Sequence, residues 1–192
     1  MIKSSHDLQE YLAWDARALG KELGEHPKFG KDEIWRFQIV LRKYEYYSNI
    51  QKNLIQKIYY FWLKYLYHRY SIKLGFSIPI NVFDKGLSIA HHGSIVVNSN
   101  ARVGKNCRIQ ENVTIGATGG NTEAPCIGNN VFIASGARII GNVKIGDNIA
   151  IGANAVVVKS FPESNVTLGG VPAKVISHKG SAGFINPKAM EE

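Results

Sequence analysis

The sequence predicts a mainly β fold with a helical cap: a left-handed parallel β-helix preceded by an α-helical segment. Three observations predict it. An aliphatic residue returns at every sixth position, at Val97, Val103, Ile109, Ile115, Ile127, Ile133, Ile139, Ile145, Ile151 and Val157, with one gap at Asn121. A second column two places earlier holds small or β-branched residues, among them Ile95, Ala101, Cys107, Val113, Val131, Ala137, Val143, Ile149 and Ala155. The first 74 residues instead carry apolar positions at helical spacing.

A period of six suits neither an α-helix nor an alternating strand. It suits a solenoid in which three hexads close one triangular coil and each inward side chain stacks on its equivalent one coil away. The aliphatic column fills the interior, and the column before it packs near the corners, where only small side chains fit. Asn98, Asn100, Asn106, Asn112, Asn129, Asn130, Asn142, Asn148 and Asn154 suit the turns at those corners.

The domain reading is residues 1–74 as a helical segment, 75–176 as the β-helix with an extruded loop at 117–126, and 177–192 as a tail without a clear pattern. A first helix is expected over residues 7–23, with Leu8, Leu12, Ala16, Leu19 and Leu23 on one face and Gly24 as its stop. A second, over 32–49, carries Ile34, Phe37, Leu41, Tyr44 and Tyr47. A third, over 54–74, is apolar nearly all round but is interrupted by Gln56, Lys57, Lys64, His68 and Arg69. That helix is too polar for a bilayer span. The expectation is burial between cap and solenoid, and the rival is peripheral contact of its aromatic and basic residues with a membrane surface.

Two irregularities interrupt the repeat. The apolar column slips by two residues between Ile89 and Val97, across Ala90-His91-His92-Gly93. In the downstream phase His91 would point inward, where an imidazole finds little to bond; a two-residue bulge would push it out at the wall. The second irregularity is the doubled spacing from Ile115 to Ile127, read as a glycine-rich loop extruded on the binding face.

Formal net charge is +8, with 13 cations against 8 anions in residues 1–75. This favours anionic partners such as a phosphorylated cofactor, while the absence of a basic run or reading motif argues against nucleic acid. Two cysteines without metal-ligand neighbours give no zinc site, so no metal is expected. The polar opening residues show no signal peptide, which makes the cytoplasm, including the inner face of a membrane, the expected location.

These residues resemble the hexapeptide-repeat acyltransferases, and within them the serine O-acetyltransferase family. The likeness lies in the helical N-terminal segment, the histidine element, Val113-Thr114-Ile115-Gly116, the extruded loop, Ser135-Gly136-Ala137, Ile151-Gly152-Ala153 and the exit Gly170-Val171-Pro172-Ala173-Lys174. The resemblance implies acetyl-CoA as co-substrate and a homotrimer, or a dimer of trimers, with the donor lying between neighbouring solenoids. The family's Asp-His pair is Ala90-His91 here, and its Arg-His-Pro at the loop end is Glu123-Ala124-Pro125. The aspartate expected upstream of the histidine falls at Phe76 or Ser77. Those departures bring the chain closer to the capsule and exopolysaccharide O-acetyltransferases, the colanic acid type among them. The expected acceptor is therefore a sugar hydroxyl, with a serine O-acetyltransferase of cysteine biosynthesis as the alternative and an idle scaffold as the second alternative.

In either enzyme a general base must take the hydroxyl proton, and histidine suits that duty. His91 is the expected base, with His92 in reserve. Glu111 and Asp84 are the carboxylates placed near them, on the acceptor side. The resemblance implies that the pantetheine arm meets Gly116, Ala117, Ser135, Gly136, Gly152 and Ala153, with Lys159 and Lys174 facing CoA phosphates.

Overall fold

A computed structural model of the chain describes residues 1–22 and 24–189. Three helices open it: α1 (Ser5–Ala18), α2 (Glu33–Asn49) and α3 (Leu54–Leu74). Ser4 and Asp7 form a reciprocal cap at the start of α1, satisfying donors that the first turn cannot pair internally. The helix ends earlier than its apolar spacing suggests: Leu19 caps it and the backbone turns at Gly20, five residues short of the expected end. Leu23, part of that expectation, lies outside the described residues. The third helix has the expected bounds, with Asn53 and Gln56 capping its start. Gly75 closes it at φ 79°, a left-handed conformation that costs glycine little.

Short strands follow. They are β1 (Phe76–Ser77), β2 (Ser88–Ile89), β3 (Ile95–Val97), β4 (Arg102–Val103), β5 (Arg108–Ile109) and β6 (Val113–Gly116). Beyond the loop come β7 (Cys126–Ile127), β8 (Phe132–Ile133), β9 (Arg138–Ile140), β10 (Lys144–Ile145), β11 (Ala150–Ile151) and β12 (Val156–Val157). The last two are β13 (Thr167–Gly169) and β14 (Lys174–Ser177). Cys126 thus opens a strand, and the extruded segment ends at Pro125.

They form three sheets. The first is β1-β3-β6-β9-β12, the second β2-β5-β8-β11-β13-β14 and the third β4-β7-β10. From β2 to β12 consecutive strands visit the second, first and third sheets in turn, and every pair is parallel except β13 with β14. Ile115, Ile133, Ile139 and Ile151 are wholly buried at the inward positions, with Ala101, Val131, Ala137 and Ala155 beside them. One edge of this stack, between the third and second sheets, is tied by a side-chain ladder in which Asn106 donates to Asn130 and Asn130 to Asn148, each at 2.9 Å. These three, with Asn112 and Asn154, adopt positive φ; Asn98, Asn100, Asn129 and Asn142 do not, and serve the turns through hydrogen bonds instead.

The helices are fastened to the first coil by a buried charge network. The Arg42 guanidinium, fully buried, binds Asp15 at 2.8 Å and Glu45 at 2.9 Å and donates to the carbonyls of Phe83 and Asp84. Asp15 in turn accepts from the amides of Gly86 and Leu87. Burial works against a charged guanidinium, but the two carboxylates outweigh it and raise its proton affinity.

The third helix corrects an expectation. Only Leu63 and Leu74 are buried; its inner side meets α2 through Tyr44–Tyr60 and Tyr44–Tyr67 ring contacts, and its outer side is open. The tail, without pattern in the sequence, runs back along the second sheet. Phe184 stacks on Phe132 at 4.7 Å, and Asn186 donates to the Arg17 carbonyl at the end of α1.

Candidate functional site

The register locates the bulge. Ile89 pairs with Ile109, and Val97 pairs with Ile115. The chain therefore takes eight positions from Ile89 to Val97 where the next coil takes six from Ile109 to Ile115. The two extra residues fall in the turn holding Ala90, His91, His92 and Gly93, and both histidines are exposed there. Gly93 sits at φ 135°, and a Cβ added to it would come within 2.9 Å of Glu111 Cβ. The bulge thus presses its backbone directly onto the glutamate of the next coil.

That contact defines a column. All the turns from the second sheet to the first lie on one edge of the stack: His91-His92-Gly93, then Gln110-Glu111, then Ser135-Gly136, then Gly152-Ala153. The turns hold each other. The Ser135 hydroxyl donates to Glu111 Oε1 at 2.6 Å, and its amide donates to Gln110 Oε1. The Gly136 amide donates to the Glu111 carbonyl, and the Asn154 amide to the Ser135 carbonyl.

The Ser135 hydroxyl holds the Glu111 carboxyl below the usual carboxylate range, and the nearby charge of His91 adds to that effect. The other carboxylate oxygen, Oε2, is buried with no hydrogen-bond partner among the described residues.

The remaining expected residues divide between edges. Gly116 ends β6, and Ala117 opens the extruded loop, on the edge between the first and third sheets. Lys159 leaves β12 on that same edge, with its ammonium 5.3 Å from the Phe161 ring centre. Lys174, exposed, opens β14. The loop's Glu123 accepts from Asn142 at 2.8 Å. Within one chain, then, the histidine column and the loop lie on opposite edges of the first sheet.

Asp84 does not join the histidines. It sits on the third edge, where it accepts from the Tyr11 hydroxyl at 2.6 Å and from the Lys85 amide. Nearness in sequence misleads there, because seven residues carry the chain across the second sheet to another corner. Asp84 instead borders a cleft between cap and coils lined by Tyr11, Glu45, Arg102 and Cys126. Sequence reasoning gave Ser135 only a backbone role toward a cofactor. The signal that it faces Glu111 was their separation of 24, one coil plus the six-residue insertion.

Comparison with known proteins places this geometry. Residues 127–159 match the bacterial transferase hexapeptide (six repeats) family. A serine acetyltransferase of Buchnera aphidicola is 34% identical over 128 residues, covering 65% of this chain and 46% of that protein. One from Staphylococcus epidermidis is 33% identical over 98 residues, 50% of this chain and 46% of its own. The chain therefore spans about half the length of the curated relatives it matches.

Among solved structures, a hexapeptide-repeat serine O-acetyltransferase from Brucella melitensis superposes with a TM-score of 0.69 at 29% identity, over 91% of this chain and 71% of that one. A Brucella abortus serine acetyltransferase in complex with coenzyme A gives 0.69 at 27% identity, over 93% and 71%.

These likenesses correct the expected kinship with capsule and exopolysaccharide enzymes and, with it, the sugar acceptor. The expectation rested on a few departures, chiefly Ala90 in the bulge and Glu123 exposed on the loop, whereas the framework of helices and coils follows the serine enzymes. The chain thus carries a hexapeptide repeat over residues 127–159 and, along most of its length, is similar to serine acetyltransferases.

Proposed function

We propose that the chain is an acetyl-CoA-dependent O-acetyltransferase whose acceptor is the hydroxyl of serine. The observation that carries this reading is the exposed His91 bulge seated on Glu111, within a framework similar to serine acetyltransferases from helices to coils. A structure in that set is a complex with coenzyme A, which supports acetyl-CoA as the donor.

The chain divides into a helical segment over 1–74, coils over 75–176 forming the left-handed β-helix of that fold, and a tail over 177–192. Copies assemble as trimers, or pairs of trimers. The histidine edge of one copy then meets the loop edge of the next, which accounts for expected site residues lying on opposite sides of one sheet. Gly116, Ala117, Ser135, Gly136, Gly152 and Ala153 offer small side chains and open backbone to the donor's amide-rich arm, and Lys159 and Lys174 offer charge to its phosphates.

In the reaction the His91 imidazole accepts the hydroxyl proton as the oxygen attacks the thioester carbonyl carbon. Backbone N–H groups near Gly116 meet the developing oxyanion. The C–S bond breaks, and the departing thiolate takes the proton back from the imidazolium. Glu111, fixed by Ser135, is the carboxylate that steadies that imidazolium, and His92 positions the acceptor.

The test is release of free thiol from acetyl-CoA in the presence of L-serine, with O-acetylserine identified by mass. Serine-dependent release is the expected result. Binding of acetyl-CoA with no serine-dependent release would overturn the acceptor, and failure to bind it would overturn the enzyme.

A further inference from the structure

The outer side of α3 is an apolar stripe largely open among the described residues, with Phe29 and Glu33 bordering a shallow pocket beside Tyr65, Arg69 and Ile72 near its end. Leu54, Ile55, Ile58, Phe61, Trp62, Tyr65 and Ile72 are each between 52% and 78% exposed, far beyond what scattered surface residues explain. At 100° per residue they fall on one continuous face, opposite Leu63 and Tyr67, which turn toward the protein. Lys57, Lys64 and His68 run along one border of the stripe, Arg69 lies within it, and α3 contains no acidic residue. Among the described residues Lys57, Lys64 and Arg69 form no ion pair; Lys73, at the last turn, pairs with Glu33.

We infer that this face binds the surface of an anionic lipid bilayer, with α3 lying in the interface. The composition is what such contact requires: aliphatic and aromatic side chains entering the acyl boundary, and a basic border at headgroup level. Trp62 and Tyr65 add ring systems suited to that boundary. No described helix is long and apolar enough to cross a membrane, so the association is peripheral.

Charge decides the occupant. A second copy of α3 laid on the same face by a two-fold axis brings together two helices that each carry Lys57, Lys64 and Arg69, with no carboxylate on either to relieve them. Lipid phosphates supply the negative charge that a sister helix lacks. The inference stands apart from the acceptor's identity, since it uses none of the residues placed in the catalytic column.

The experiment is flotation of the full chain with vesicles of phosphatidylglycerol and phosphatidylcholine, against phosphatidylcholine alone, with sedimentation velocity on each variant. The chain should float with the anionic vesicles and largely detach in high salt. The double variant K57E/K64E should bind about tenfold more weakly or worse. The variant I58S/W62S should lose flotation while keeping its helical circular dichroism and its oligomeric size. Equal partition onto both vesicle types, or no flotation with either, would overturn the inference. So would I58S/W62S breaking a larger assembly into a smaller one, which would mark the face as a contact between copies.

Discussion

The Ser135 hydroxyl donates to Glu111 Oε1 at 2.6 Å while Glu111 Oε2 remains buried and unpartnered among the described residues. A buried carboxylate oxygen without a donor is costly, and one retained in a fold calls for an explanation. In the mechanism proposed above the explanation is the imidazolium that forms on His91, in the bulge seated on Glu111.

Glu111→Gln should therefore lower kcat by roughly tenfold or more with little change in KM for acetyl-CoA, because it removes a charge needed only when the imidazole is protonated. Ser135→Ala should give a smaller loss in the same parameter, and Glu111→Asp a partial recovery relative to Gln. A matched rise in KM with unchanged kcat would assign Glu111 to donor binding instead.

His91→Ala should keep the coils intact and acetyl-CoA bound, and should lose about 100- to 10,000-fold in turnover, the usual share of a general base. His92→Ala should act mainly on KM for the acceptor. The two exposed histidines are separated by these kinetics alone, since neither supports the core. Near-normal turnover in His91→Ala would transfer the role to His92 or to no histidine at all.

Ala90 and Glu123 stand where the resembled family has an aspartate and an arginine. An arginine pairs with a substrate carboxylate in two-point fashion, and a glutamate repels it. With serine as the acceptor, Glu123→Arg should lower its KM by about tenfold, on the scale of one charge-assisted hydrogen bond. Ala90→Asp should act in the same direction through the substrate ammonium. Steady-state kinetics on L-serine read both, and a rise in KM for either variant would show that this pocket holds its acceptor by other contacts.

The two cysteines should differ in reactivity. Cys107 lies inside the stack, where burial pushes its thiol up to about 12, and Cys126 is exposed at the start of β7. A thiolate is the reactive form. Alkylation of the native chain should give one adduct, on Cys126, and denaturation should release a second.

What the sequence disclosed follows from how local each signal was. The period-six columns are repeated in every coil, so the interior was legible residue by residue, and the bounds of α3 were legible because Asn53, Gln56 and Gly75 are themselves the caps. The end of α1 was not, since the apolar spacing of the sequence runs on past the cap at Leu19, although the backbone turns at Gly20. Composition likewise marked α3 as apolar all round without saying which side has a partner; that depends on where α2 lies. Asp84 illustrates the same limit at the site, because in a triangular coil a short step along the chain changes the corner. The path of the tail rests on Phe184 and Ile185, too few positions to make a pattern.

The charge network under the cap gives the last prediction. Arg42→Met leaves Asp15 and Glu45 buried without their counter-ion and should cost about 3–5 kcal/mol, the usual consequence of breaking a buried pair from one side. Thermal or urea unfolding measures it. Burial already raises the Glu45 carboxyl above the usual carboxylate range, and Arg42 is the foremost influence holding it down. A carboxyl that binds its proton more tightly folded than unfolded makes stability fall as pH rises from the unfolded value through the folded one. Removing Arg42 moves the upper end of that window toward neutrality. The variant should therefore regain part of its lost stability on mild acidification, where Glu45 can be buried neutral. A deficit that stays constant from neutral pH into mild acid would mean that Glu45 does not take up the proton, and that the lost contacts to the Phe83 and Asp84 carbonyls dominate instead.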